Sequence, residues 1–99
     1  MSNETFGAYI KKARETINLT LRKVAAHLDI DTSTLSKVER GDRPASPDYL
    51  KPLAEILKLD LKEVQTKFIA DKISKDFGGM EHLTEGLKAA EQQIKKKKK

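Results

Sequence analysis

The sequence predicts an all-α fold: a compact bundle of five short helices followed by an additional C-terminal helix. Three observations carry this expectation. Apolar residues recur at intervals of three and four along the chain, the period of a helix with one buried stripe. Capping and stopping residues punctuate those stripes, with Thr5, Thr20, Asp31 and Asp60 ahead of them and Gly41 and Gly78-Gly79 behind. With 99 residues, 37% of them hydrophobic, the chain can build a single modest core but not a substrate cleft with a second domain.

Asn3 or Thr5 caps the first helix, whose buried stripe is Phe6, Tyr9, Ile10, Ala13 and Ile17; Lys11, Lys12 and Glu15 fall on the wet side. Arg14 adjoins the stripe. Thr20 caps a second helix with Leu21, Val24, Ala25 and Leu28 inward. Asp29 tolerates a left-handed conformation, so a tight corner forms there, and Ile30 plugs it. Asp31 or Thr32 caps the third helix, which turns Leu35 and Val38 inward and Thr32, Ser33, Ser36 and Lys37 outward before Gly41 stops it. Two short helices joined by a turn of about four residues form a helix-turn-helix unit.

The stretch from Asp42 to Pro47 is a loop, because Pro44, Pro47 and the Ser46-Pro47 step resist helix. It places Arg40 and Arg43 beside the third helix. Helix four buries Leu50, Leu53, Ala54 and Leu57, with Pro52 in its first turns. Asp60-Leu61-Lys62-Glu63 has the form of a capping box and opens helix five, whose apolar residues are Leu61, Val64, Phe68, Ile69, Ile73 and Phe77. Met80, Leu83, Leu87, Ala90 and Ile94 make the narrow stripe of a sixth helix. Its interior Gly86 costs about 1 kcal/mol relative to Ala, so this helix needs docking to be stable.

The formal charge of +5 is distributed unevenly. Residues 1–46 carry 8 basic and 6 acidic side chains and residues 47–94 carry 7 and 9, so the surplus lies in Lys95–Lys99. That lysine run is expected to be disordered by self-repulsion. The absence of cysteine excludes disulfides, thiolate chemistry and the usual zinc frameworks. His27 and His82 have no acidic or cysteine partner at ligand spacing, so no metal site is expected. A Ser-His-Asp arrangement and a glycine-rich phosphate loop are both missing, which predicts no catalytic residues, no enzyme activity, no cofactor and no small-molecule ligand. Neither a membrane-length apolar run nor a signal peptide is visible, and a soluble, cytoplasmic protein is expected.

The pattern Val24-Ala25, Leu28, Ile30, Ser33-Thr34-Leu35-Ser36 and Glu39-Arg40-Gly41 resembles the Cro/C1-type (XRE-like) helix-turn-helix regulators, and the likeness extends from about Phe6 to Phe68. It implies a five-helix, lambda-repressor-like DNA-binding bundle that acts as a dimer on double-stranded DNA, as a repressor or a restriction-modification controller. Position by position, the resemblance assigns Thr32, Ser33, Ser36 and Lys37 to base reading, and it pairs Arg14 with Glu39 as a structural ion pair. Thr20, Arg22, Lys23, Arg40 and Arg43 are the phosphate candidates, since the second helix opens with free N–H groups and the arginines flank the third. Asp29 stands where the family usually has Gly, and Leu21 where it usually has a polar residue facing DNA.

The expected organisation is a helix-turn-helix domain over residues 1–77, a helical extension over 78–94 and the lysine tail over 95–99. The family core needs little beyond Phe68, so Ile69, Ile73 and Phe77, with Leu83 and Leu87, form a candidate dimer interface that would match a palindromic operator. Folding back and pairing with a second subunit are both open for the sixth helix. An antitoxin of a toxin-antitoxin pair, with its partner docked after Phe68, is the alternative reading.

Overall fold

The computed structural model describes residues 4–97. Helix α1 (Phe6–Thr16) starts at Thr5, whose hydroxyl accepts from the Ala8 N–H. Helix α2 (Leu21–Leu28) starts at Thr20 in the same way, and α3 (Thr32–Arg40) at Asp31. A short 3-10 turn over Pro47–Tyr49 leads into α4 (Leu50–Leu57), and α5 (Leu61–Phe77) and α6 (Leu83–Lys97) complete the chain. Pro52 is the third residue of α4, where the missing N–H lacks an intrahelical acceptor in any case, so the proline is accommodated without a kink. The described residues contain no strand.

Helices α1 to α5 close around one core of Phe6, Ile10, Val24, Ala25, Leu28, Leu35, Leu50, Leu53, Ala54, Leu57 and Val64. Val38 is buried beside it. Helix α3 packs against both α1 and α2, which seats its inner face deep in the bundle and leaves its other face to solvent. The approach of α1 to α3 depends on Gly7: a Cβ there would run into the carbonyl oxygens of Val38 and Glu39. At the other end, Phe6 meets Phe68 edge-on at 5.4 Å between centroids and fastens α5 to α1. Ile17, expected in the buried stripe, is the C-cap residue of α1 and is half-buried, because the helix ends one residue before it.

Two expectations for the C-terminal region are corrected. Lys95, Lys96 and Lys97 are helical rather than disordered: they form the last turn of α6, where cations are favoured by the helix dipole, and Lys95 lies 3.7 Å from Glu91 one turn back. Lys98 and Lys99 lie outside the described residues. Met80 precedes α6 instead of belonging to it, since the turn after Gly78-Gly79 continues to His82. None of the described residues of α6 is buried, and α6 makes no extensive contact with α1 to α4.

Candidate nucleic-acid interface

The corner between α2 and α3 sets the position of everything on the outer face. Asp29 adopts the left-handed conformation at φ 60°, ψ 42°, and its N–H closes α2 onto the carbonyls of Ala25 and Ala26. The Ile30 N–H donates to the Ala25 carbonyl at 3.0 Å, so the chain reverses in a Schellman-like cap and Ile30 packs against the core. Leu21 is likewise half-buried against the core, which explains an apolar residue at the start of α2. Gly41, at φ 83°, ends α3 with the same device.

Leu35, Val38 and Glu39 form the buried side of α3, while Thr32, Ser33 and Lys37 are exposed and Ser36 is half-buried. Glu39 is the one charged residue buried among those described. Its carboxylate receives two bonds from Arg14, Nε to Oε2 at 2.8 Å and Nη2 to Oε1 at 3.0 Å, and Arg14 Nη1 donates to the Leu19 carbonyl at 2.9 Å. The hydrogen bond to Glu39 raises the Arg14 pKa further above its ordinary value, against burial, which lowers it. One guanidinium therefore ties α1, the α1–α2 connection and α3 together. This fixes the angle at which the outer face of α3 is presented.

The exposed side chains are themselves linked. The Thr34 hydroxyl donates to Asp31 Oδ1 at 2.7 Å. That bond, followed by Asp31's own N–H and the nearby charges of Arg43 and Lys37, holds the Asp31 carboxyl below its usual range. Asp31 thus stands at the N-cap position of α3 with its carboxylate turned to Thr34 and making no cap bond. Arg40 Nη1 donates to Ser36 Oγ at 3.0 Å and its Nε to Asp42 Oδ2 at 3.1 Å, so Ser36 and Arg40 share one exposed chain of bonds. Thr20 Oγ1 accepts from the Lys23 N–H at 3.1 Å, leaving its own proton free to donate. Arg22, Lys23 and Arg43 are exposed. Asp31 and Asp42 were not singled out from sequence for this face, although Asp31 stands three residues before Thr34 and Asp42 two after Arg40, both within side-chain reach.

The Helix-turn-helix family matches residues 10–64, more than half of the chain. This chain belongs to the Cro/C1-type helix-turn-helix regulators. Among its relatives are two uncharacterised HTH-type transcriptional regulators from strains of Mycobacterium tuberculosis, each 36% identical over 53 residues, which is 54% of this chain and 38% of theirs. The chain thus spans about two fifths of the length of those relatives. Crystal structures of the clp gene regulator ClgR from Corynebacterium glutamicum share the fold. One is 25% identical, with a TM-score of 0.56 over 66% of this chain and 84% of that one; the other is 21% identical, with a TM-score of 0.58 over 92% and 83%.

The family match ends at the core residue Val64, so most of α5 and all of α6 lie beyond the shared domain. Ile69 and Phe77 on α5 are 53% and 45% exposed, and Leu87 on α6 is 41% exposed. Ile73 and Leu83 are half-buried. The five residues named as an interface from sequence lie together: Ile73, Leu83 and Leu87 line two apolar grooves between α5 and α6, with Phe77 on one and Ile69 on the other. The grooves have volumes of about 610 and 620 Å³. No helix among the described residues is long and apolar enough to cross a membrane.

Proposed function

We propose that this protein is a cytoplasmic, sequence-specific transcriptional regulator of the repressor or restriction-modification controller type that binds a palindromic operator in double-stranded DNA as a homodimer. The observation that carries the reading is α3 itself: one face locked into the core through Leu35, Val38 and Glu39, the other presenting hydroxyls and a lysine to solvent at a fixed angle. A helix so mounted enters the major groove with its first turns against base edges, where Ser and Thr donate or accept and Lys donates to guanine O6 or N7. In this reading Thr32, Ser33, Ser36 and Lys37 read bases. Thr20, Arg22, Lys23, Arg40 and Arg43 hold phosphates, Arg40 exchanging its bond to Asp42 for one to the backbone. The family's role in transcription, and the regulators named among its relatives, support it.

Binding isotherms for Lys37→Ala and Arg43→Ala on specific and scrambled duplexes, each at several salt concentrations, test it. Loss of a base contact costs about 1–3 kcal/mol on the preferred site with little change on scrambled DNA. Loss of a phosphate contact weakens both duplexes alike and reduces the salt slope by about one. The basic end of α6 adds its own nonspecific attraction, so the comparison is repeated with Lys95–Lys99 replaced by neutral residues. Equal loss from Lys37→Ala on both duplexes refutes base reading by Lys37. No loss from either substitution takes α3 off the DNA and leaves the antitoxin reading, for which the apolar α5–α6 grooves would be the docking place.

A further inference from the structure

Helix α6 carries a stripe, Leu83, Leu87, Ala90 and Ile94, whose spacing of four, three and four reads the same in both directions. We propose that α6 seats in the α5–α6 groove of a second copy of this chain, the two α6 helices running antiparallel about a two-fold axis that passes between Lys88 and Ala89. This rests on the dimeric state proposed above and specifies its geometry.

In that register Leu83 lies opposite the partner's Ile94 and Leu87 opposite the partner's Ala90, so each apolar residue of the stripe finds an apolar counterpart. Charge selects the same direction. Glu85 stands in the first turn of α6, with Glu81 in the turn just before it, and Lys95, Lys96 and Lys97 stand in the last. Antiparallel pairing sets the acidic end beside the partner's lysines. Parallel pairing stacks six lysines in one place and two acidic ends in another. The space is also present. Gly86 lies on the groove wall in the interior of an exposed helix, and a Cβ added to it meets nothing within 4 Å. Nothing in the single chain uses that glycine. With Ala90 on the same groove it leaves small side chains on the facing side of the helix, which lets two helix backbones approach closely where they cross.

A second α6 also supplies what α6 lacks by itself. It has no buried residue, and an isolated helix of 15 residues with an interior glycine is marginal in water. The groove floor of Ile73, Leu83 and Leu87, walled by Phe77 and Met80, is mostly apolar, Glu81 and His82 being the polar side chains of its lining. Two copies of this pairing bury the same surface twice, as a closed two-fold contact requires.

The chain has no cysteine, so the register can be read by cross-linking the full-length protein. Under mild oxidation at micromolar concentration, a mixture of Leu83→Cys and Ile94→Cys variants gives a disulfide-linked heterodimer, while neither variant alone cross-links to itself. Sedimentation of the unaltered chain gives twice 11.1 kDa, and Leu87→Glu gives 11.1 kDa with the helical circular dichroism of α1 to α5 retained and a loss no larger than the share of α6. Self-cross-linking of Leu83→Cys alone overturns the antiparallel register. A monomeric unaltered chain, or a Leu87→Glu variant that remains dimeric, overturns the pairing. DNA binding measured on the same samples keeps the two proposals apart: half-site binding by a chain that never dimerises refutes this inference and the homodimeric part of the functional reading but leaves DNA recognition by α3 standing, and a cross-linked dimer that binds no DNA at any site refutes only the functional reading.

Discussion

Replacing Glu39 by alanine removes the acceptor that holds α1 to α3, and the structure sets the scale of the loss. The Arg14 and Glu39 side chains are 11% and 4% exposed, and their two bonds are short and parallel. Breaking a buried pair by removing one partner costs about 3–5 kcal/mol because the other charge is left without compensation. The two substitutions are not equivalent. In Glu39→Ala, Arg14 keeps its bond to the Leu19 carbonyl and reaches solvent more readily, so the loss is near about 3 kcal/mol. In Arg14→Ala, a more deeply buried carboxylate loses both donors and the Leu19 carbonyl loses its own, which places the loss near about 5 kcal/mol.

For a domain of this size each kcal/mol moves the melting temperature by about 4–8 °C, so Glu39→Ala should melt about 12–24 °C lower, followed by circular dichroism. The Arg14→Ala/Glu39→Ala double variant strands no charge. It should be less destabilised than the sum of the singles by about 2 kcal/mol or more, within the range for directly bonded groups. Singles within about 0.5 kcal/mol of the parent, or strictly additive losses, would refute the claim that this pair fixes the angle of α3.

Gly7→Ala should destabilise by at least the roughly 1–3 kcal/mol of an overpacked core, because the new methyl meets backbone carbonyls of α3 that cannot rotate away; urea unfolding at constant m-value checks it, and an unchanged midpoint contradicts the close α1–α3 approach. The Tyr9 hydroxyl is enclosed, with Glu63 near it but no partner in full hydrogen-bond geometry among the described residues, and burial, with Glu63 next in effect, pushes its pKa from 10.0 to about 12. A raised folded-state value means that the contribution is complete below pH 10 and is lost as pH rises toward about 12. Tyr9→Phe should therefore be neutral or slightly stabilising at pH 7 and should flatten the fall in stability between pH 10 and 12, measured as the difference from the parent at each pH. Asp29→Gly should keep the corner and change stability by less than about 1 kcal/mol, since relief of the left-handed φ is offset by the greater freedom of glycine when unfolded. A large loss would mean that the Asp29 side chain itself holds the turn.

Helices α1, α2, α3 and α5 were legible because each carries its own start and stripe, whereas α4, whose N-cap Tyr49 makes no side-chain cap bond, shows only its stripe. Thr5, Thr20 and Asp60 cap where expected, and Asp29 and Gly41 turn left-handed where the pattern needs a corner. The capping box of α5 was only half legible: the Asp60 carboxylate accepts from the Lys62 N–H, while Glu63 lies near the Tyr9 hydroxyl of another helix. Pattern also failed at Lys95–Lys97, where the helix dipole and the Glu91 partner of Lys95 oppose self-repulsion. For α5, periodicity marked Ile69, Ile73 and Phe77 as apolar, but a stripe records what a residue needs and not which surface covers it.

Sequence separation decides how much of the outer face could be read. Asp31 to Thr34, Ser36 to Arg40 and Arg40 to Asp42 are three, four and two residues apart, so the helix and its two caps bring those groups into bonding distance locally, the last pair across the left-handed Gly41. Arg14 and Glu39 are 25 residues apart, and Gly7 is farther still along the chain from the Val38 carbonyl it spares. Contacts of that kind exist only once the bundle has closed. The first was accessible through family resemblance and the second through nothing in the pattern, since a glycine inside a helix reads as a cost until the neighbouring backbone is in view. Gly86 presents the same problem one level higher. Within one chain it remains an unexplained cost, and a second helix crossing α6 at that point would account for it as the α1–α3 contact accounts for Gly7.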